Sequence, residues 1–438
     1  MIEEVLHPSN LMRACRQTVR NQGAAGVDGM KVDELYDYFR LNRKEIEASL
    51  RECRYLPHAI KGIEIPKEGG KTRLLGIPTV LDRMLQQAVG QVLCNHYDVE
   101  FHAYSYGFRP NRNANQAVLR ALEYINSGLN WIVDIDLKSF FDEVDHCILL
   151  EILYRKIKCV ATMRLIRKWL RAPILQNGRL VKRRKGMPQG SPLSPILSNI
   201  LLNELDKKLE SMGVKYIRYA DDFSIYCSEE AESRRIGNEV YLFLKEKLHL
   251  PINGDKSGIR RPEDFNTLGH GFAPHREDGR QDQYFLVPSL KSVRSLKKKL
   301  KEITRKTTPY TFDIRVSKLK EVQRGWLHYF KMCRMSFTID RLDKWIRSRL
   351  RYCIWHNWKT AKRRRKSLLR LGVSAENARK WCSPRMGGWA TARSPILKTT
   401  ITNARLEQRG YEAMLPIYKL IGPYLNEPLY TRPVRTVV

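Results

Sequence analysis

The sequence predicts an α+β protein whose front part mixes hairpins, a buried strand and helices, and whose rear third is helical and strongly basic. Three observations carry this. Short apolar runs flank turn residues at Glu64–Pro78, Asn130–His146 and Lys215–Ser228, the pattern of strands and hairpins. Segments between them, Val80–Tyr97 first, carry apolar residues at helical spacing. Beyond about Val287 only the helical spacing remains. A chain of 438 residues with 42% hydrophobic and 29% charged side chains is globular and long enough for more than one domain. No apolar stretch reaches the roughly 18–20 residues that cross a bilayer, so no membrane partner is expected. The start, MIEEVLHPSN, has neither the basic nor the apolar region of a secretion signal.

Taken in order, the elements follow from local chemistry. Glu64–Pro78 reads as strand, Gly-rich turn at Glu68-Gly69-Gly70, strand. Val80–Tyr97 is a helix, and a loop at Tyr104–Asn113 precedes another from about Ala114 to Ser127. Trp131-Ile132-Val133 with Ile135 and Leu137 make a buried strand that turns at Lys138–Ser139. Gly186–Glu210 is a Gly/Pro-rich loop opening a long helix. Lys215–Ser228 is apolar on both sides of Ala220-Asp221-Asp222, a tight hairpin with two acids at its tip. Helices then run over Ser289–Ile303, Val316–Met332 and about Ile339–Lys362. On the second of these Leu319, Val322, Trp326, Tyr329 and Phe330 share a face, a stripe that reads as core. From about Lys366 the chain looks like a small separate unit.

Charge narrows the function. There are 79 Lys and Arg against 46 Asp and Glu, a net +33, and Lys291–Val438 alone holds 36 bases and 9 acids. Like charge at this density repels itself unless a polyanion neutralises it, and basic runs interleaved with Trp and Tyr at Trp345–Lys366 point to nucleic acid. The nine cysteines form no CxxC pair and no metal-binding spacing with the ten histidines, which excludes a zinc ribbon and reads as reduced thiols.

Acids on buried strands must be paired or metal-bound, because a lone desolvated carboxylate is costly. Asp136, and the adjacent Asp221 and Asp222, sit among apolar residues, and two neighbouring ionised acids call for a cation. Hard carboxylate oxygens completed by substrate phosphates are the Mg²⁺ pattern, and two such ions can drive an in-line phosphoryl displacement.

The ordered set DIDLKSFFD, GMPQGSPLSP, YADD, NGDKS and TLGHGF resembles reverse transcriptases, specifically those encoded by bacterial group II introns. NQGAAGVDG, IPKEGGKTRLLGIPTVLDR and YGFRPNRNANQAV are similar to that group's extended fingers. RGWLHYF is similar to its thumb, or maturase, region, and SPILKTTITNARLEQRGY to the segment C-terminal to the thumb. The resemblance runs from about Asn21 to Leu420. It implies a right-hand polymerase fold of fingers, palm with an antiparallel sheet and helical thumb, plus a small basic C-terminal domain. The implied domains are residues 1–85, N-terminal extension and fingers; 86–287, fingers and palm; 288–365, thumb; and 366–438, a basic DNA- or RNA-binding domain.

The resemblance also implies roles. Asp136, Asp221 and Asp222 match the catalytic acids that hold two Mg²⁺ ions, with Mn²⁺ as an alternative and the Leu137 backbone as a further ligand; Asp134 is the rival for the first position. Phe141 matches the aromatic that screens a sugar 2′-hydroxyl and so selects dNTPs, while Phe140 reads as core. Gln189 matches a residue lining the nucleotide site, Lys67 and Arg73 flank the hairpin where bases meet the triphosphate, and Lys256 matches a lysine that protonates pyrophosphate. Arg109 and Arg112, the Lys362–Lys366 run with Arg363, Arg364 and Arg365, and Arg393 and Arg405 are expected to touch nucleic acid. The implied partners are group II intron RNA, an RNA template with its DNA primer, target DNA and dNTPs, in a ribonucleoprotein of the bacterial cytoplasm. The family's His/Cys nuclease module is not seen, which matches its compact subset, and NGDKS and TLGHGF are loose versions of the fourth and fifth palm motifs. A free-standing reverse transcriptase of retron, diversity-generating or defence type is the alternative, and a splicing factor with a dead polymerase is a third.

Overall fold

The structure is a computed structural model that describes residues 1–66, 72–275 and 283–422. The chain divides after Arg261 into two compact units. The first unit is built on helices and two sheets. Helices Pro8–Arg20, Leu35–Arg51, Val80–Tyr97 and Ser194–Ser211 enclose a core that includes Leu11, Leu35, Met84, Leu85 and Leu201. Val80–Tyr97 begins where Thr79 accepts from the Asp82 amide, and Ala114–Asn126 begins in a capping box between Asn113 and Gln116.

One sheet has four antiparallel strands in the order Lys215–Tyr219, Asp222–Cys227, Trp131–Ile135, Gly258–Arg260. The central two strands are largely buried, Asp222 excepted, and the helix Glu230–Glu246 packs against both of them. The other sheet places the hairpin Ile60–Pro66 and Thr72–Ile77 beside Ile174–Gln176 and Arg179–Val181. Its parallel contact, Ile60 opposite Ile174, joins segments more than a hundred residues apart, a pairing that no local pattern announces.

The second unit carries a three-stranded antiparallel sheet, Asn266–Thr267, His270–His275 and Gln283–Pro288, and after it, among the described residues, only helices and their connections. The expected helix from Ile339 to Lys362 is two helices, Ser336–Asn357 and Ala361–Arg370, because Thr360 caps the second by accepting from the Arg363 amide. The stripe on Phe312–Tyr329 is half right: Leu319 and Phe330 are buried, but Tyr329 is exposed, and Gln323 and Leu327 are buried in its place.

The expected domain boundaries need correction. Residue 85 falls inside the helix Val80–Tyr97, and residue 365 inside Ala361–Arg370. Residues after Lys366 are no separate unit either, since they pack on the helix Ser336–Asn357. Buried Asp343 accepts from the Tyr411 hydroxyl and from the amides of Met414 and Leu415, and buried Arg351 donates to the Ile401 carbonyl and Asn403. Each of these polar groups, buried, would be costly alone, so the two segments lock together.

Candidate active site

Strand register brings the acids together. Ile135 lies opposite Phe223 and Asp134 opposite Ser224, so one further step sets Asp136 opposite Asp222. Tyr219 pairs with Asp222, which leaves Ala220 and Asp221 as a two-residue turn. Ala220 has φ 58, the left-handed conformation that such turns demand. Acids from stretches of chain some 85 residues apart therefore meet at one end of the sheet.

Asp136 is held by the turn that comes after the helix Glu230–Glu246. Asn253 donates to its carboxylate at 2.9 Å, Lys256 pairs with it at 3.2 Å, and its amide donates to the Ser257 hydroxyl at 3.0 Å. The main chain on either side is pinned as well: the Asn253 amide donates to the Asp136 carbonyl, and the Lys138 amide to the Pro251 carbonyl, across the bridge between Leu137 and Ile252. Asp134, on the same face of the strand, pairs instead with Arg260 at 3.0 Å. Burial raises the Asp134 carboxyl above the usual range, Arg260 opposes that, and the Asp136 charge adds to it.

The Asp222 carboxyl is pushed up to about 6. Partial desolvation is the largest cause, the like charges of Asp221, Asp136 and Asp134 add to it, and Lys256 opposes it. A carboxylate crowd of this sign favours a divalent cation by its donor chemistry. The described residues nonetheless hold no three acid, His or Cys side chains gathered around one point. The Asp136 carboxylate accepts from Asn253 and Lys256, so a cation there must displace the Lys256 ammonium from those oxygens.

A buried brace stands behind the turn, and sequence reasoning missed it. Arg218, wholly buried, pairs with buried Asp206 through Nε at 2.8 Å and Nη2 at 2.5 Å. Its Nη1 donates to Asn199 at 2.9 Å and to the Ala220 carbonyl at 3.1 Å. Asn199 in turn donates to the Gly107 carbonyl at 2.8 Å, and Gly107 presses so closely that a Cβ there would lie 2.2 Å from the Ala220 nitrogen. A charged residue in the apolar strand of KYIRYADD was the available signal.

The loop around Gly186–Gln189 closes the other side. The Met187 amide donates to the Phe141 carbonyl at 2.6 Å and the Gly186 amide to the Val144 carbonyl at 2.7 Å, while Gly186 (φ +82) has no room for a Cβ against Asp142. Phe140 is buried core; Phe141 is half-buried, its ring edge-on to that of Phe140 at 5.2 Å. Gln189 accepts from Arg73, and its carbonyl accepts from the Gly76 amide at 2.7 Å. Arg73 and Gln189 thus form one cluster. Lys67 lies outside the described residues.

The expected nucleic-acid contacts fare unevenly. Arg109 is corrected: its side chain is 6% exposed, paired with Asp98 at 2.7 Å, and otherwise spent on the carbonyls of Asp98, His102 and Ser105. It ties its own loop, with four of its five N–H donors already engaged and its side chain almost wholly covered. Arg364 and Arg405 are partly tied as well, Arg364 to the Trp358 carbonyl and against the Trp355 ring, Arg405 to the Thr400 carbonyl. Arg112 donates to the Ala103 carbonyl at 3.1 Å, whereas Lys362, Arg363, Arg365 and Arg393 are exposed.

Comparison with known proteins shows the family. Residues 65–272 match the family model described as reverse transcriptase (RNA-dependent DNA polymerase), and residues 293–372 match the group II intron maturase-specific domain. Protein YkfC of Escherichia coli (strain K12) is 30% identical over 311 residues, 62% of this chain and 82% of that protein. The group II intron-encoded protein LtrA of Lactococcus lactis subsp. cremoris is 35% identical over 237 residues, 54% of this chain but 38% of that protein. A retron Mx65 reverse transcriptase of Myxococcus xanthus is 26% identical over 208 residues, 45% of this chain and 47% of that protein. No helix among the described residues is long and apolar enough to cross a membrane. A reverse transcriptase domain carries dependence on divalent metal with it. With a polymerase domain and a maturase-specific domain in succession, the chain belongs to the family of reverse transcriptases encoded by group II introns, and is an RNA-directed DNA polymerase.

Proposed function

We propose that the acids at the sheet end, Asp136, Asp221 and Asp222, are the catalytic centre of a polymerase that copies an RNA template by extending a DNA primer with dNTPs. The single observation that carries this is the register that sets Asp136 beside Asp222, in a crowd of charge that raises the Asp222 carboxyl to about 6. Two Mg²⁺ ions, with Mn²⁺ able to replace them, are held by these carboxylates and the Leu137 backbone. When bound, such ions lower the pKa of the primer 3′-hydroxyl and neutralise the leaving pyrophosphate. The chain's own residues do the rest. Asn253 orients Asp136, and Lys256, once released from that carboxylate, can give a proton to the leaving group. Arg73 and Gln189, with Lys67, hold the triphosphate and the base. Phe141 closes off the sugar 2′ position.

The second unit is proposed to hold the template–primer duplex and to bind intron RNA as a maturase that aids splicing. A-form duplexes are held through phosphate and 2′-hydroxyl contacts, without base readout. Exposed Lys362, Arg363, Arg365 and Arg393 are the candidate contacts there, and Arg112 is a separate candidate on the first unit. The two units together are proposed to make the fingers, palm and thumb of a right hand, and to support intron mobility by priming on target DNA, in a bacterial ribonucleoprotein. The maturase-specific match favours this over a free-standing enzyme. Primer extension on an RNA template tests it: Asp221→Ala and Asp222→Ala should each abolish synthesis with the fold intact, and undiminished synthesis by either would remove the assignment.

A further inference from the structure

The second unit contains a cavity of about 920 Å³, lined by the helix Ser336–Asn357 and by residues of the short helices beyond it. The volume falls at the upper end of what single small ligands occupy and is far too small for a duplex. Its lining is unusual in charge. Arg341, Arg347, Arg351, Arg393 and Lys398 all contribute, Lys344 is drawn off to Asp340, and no acid lines the wall. Arg347 has Asp343 behind it, but Arg341, Arg351, Arg393 and Lys398 have no acid partner among the described residues. Arg351 is the sharpest case: it is 5% exposed, and it rests on the Ile401 carbonyl and Asn403 instead of on a carboxylate. Gathered guanidinium charge without a counter-charge is unfavourable until an anion enters.

Two indoles share the wall, Trp345 and Trp389. Arg349 lies against both, at 5.2 and 6.0 Å from the ring centroids, and Lys297 also lies over Trp345. Trp389 is the less occupied ring. Its only described ring neighbour is Tyr352, met edge-on at 5.7 Å. The chain passes close to Tyr352 just before Trp389, where a Cβ at Gly388 would sit 3.1 Å from the Tyr352 ring. An aromatic face beside unpaired guanidinium groups matches a nucleotide with its base out of the helix: the base stacks and the phosphates take the charge.

We propose that this cavity binds one unpaired nucleotide of a nucleic-acid strand, its base against Trp389 and its phosphates among Arg341, Arg393 and Lys398. The proposal deepens the nucleic-acid role of the second unit and rests on it. It assigns single-strand recognition to a place distinct from the exposed basic helix Ala361–Arg370, which suits duplex phosphates.

The test uses the full chain and hairpin oligonucleotides with 2-aminopurine in the loop, in RNA and in DNA, against the same hairpins with that base paired. Binding should quench the unpaired probe and leave the paired one unchanged, and the RNA and DNA arms show which strand is preferred. Trp389→Leu should weaken loop binding roughly ten-fold or more and remove the quench, whereas Trp389→Phe should keep most of both. If Trp389→Leu does not fold, Arg341→Gln with Lys398→Gln should lower the salt slope for the unpaired probe by about 1.4. Full quenching in Trp389→Leu, an unchanged slope in the double variant, or equal losses on paired and unpaired probes would each overturn the cavity assignment. Primer extension by the same variants reads the polymerase proposal separately: synthesis persisting while the quench is lost supports both.

Discussion

Arg218→Met tests whether the acidic turn is held from behind. In the structure this buried guanidinium meets Asp206 twice, and also meets Asn199 and the Ala220 carbonyl. Removing it leaves Asp206 charged and buried with no counter-ion, which costs about 3–5 kcal/mol. Unsatisfied Asn199 and Ala220 acceptors add about 1 kcal/mol or more. For a unit of this size, roughly 2–4 °C of melting temperature per kcal/mol makes the drop on the order of 10 °C or more. The pairing, not the bulk, is at issue, so Arg218→Met with Asp206→Leu should recover most of the loss, with a coupling of about 2 kcal/mol or more. Calorimetry on the single and double variants measures this. Primer extension should stay impaired in the stable double variant, because the Ala220 carbonyl still lacks its donor and the turn that carries Asp221 loses its anchor. A single variant that loses less than about 1 kcal/mol, or a double variant with full activity, would refute the reasoning.

Three further outcomes are expected. Gly107→Ala puts a Cβ 2.2 Å from the Ala220 nitrogen, so the turn must shift; about 10²-fold loss of synthesis with unchanged circular dichroism is expected, and retained activity would show that the turn tolerates displacement. Phe141→Ala should admit rNTPs at little cost in stability, whereas buried Phe140→Ala should cost about 3–5 kcal/mol and leave sugar choice alone; competition assays and melts separate the two. Burial holds His270, packed with tilted rings against Tyr329 and Phe330, down to about 4, against about 6.5 for an unfolded histidine. The unfolded chain therefore binds the extra proton between those values, and about 3 kcal/mol of stability, complete above about pH 6.5, is lost as pH falls toward 4. His270→Phe should flatten that part of the stability–pH curve, and an unchanged slope would contradict it.

Local chemistry makes much of this molecule legible. The helix Val80–Tyr97 can be read to its ends, because a Thr cap and a continuous apolar face mark it. The hairpin at Asp221-Asp222 and the buried strand before Asp136 are equally plain, since each is an apolar run broken by acids. What escapes is what depends on distant partners. Arg109 looks like a loop cation in RPNRN, and only the fold shows Asp98 and three carbonyls consuming it. Arg218 and Asp206 lie on different elements, and nothing local pairs them. In the turn at Asn253–Ser257 the family resemblance points to Lys256 alone, yet Asn253 and Ser257 do as much to hold Asp136. The break at Thr360 is hidden because helical spacing continues across it, and a cap outweighs periodicity there.

Anomalous diffraction from crystals of the full chain grown with Mn²⁺, a primer–template and a non-hydrolysable dNTP would test the central claim most directly. The account predicts two peaks about 3.5–4 Å apart, ringed by Asp136, Asp221 and Asp222, with Lys256 displaced from the Asp136 carboxylate. Peaks elsewhere, or a Lys256–Asp136 pair that persists with the nucleotide in place, would contradict it.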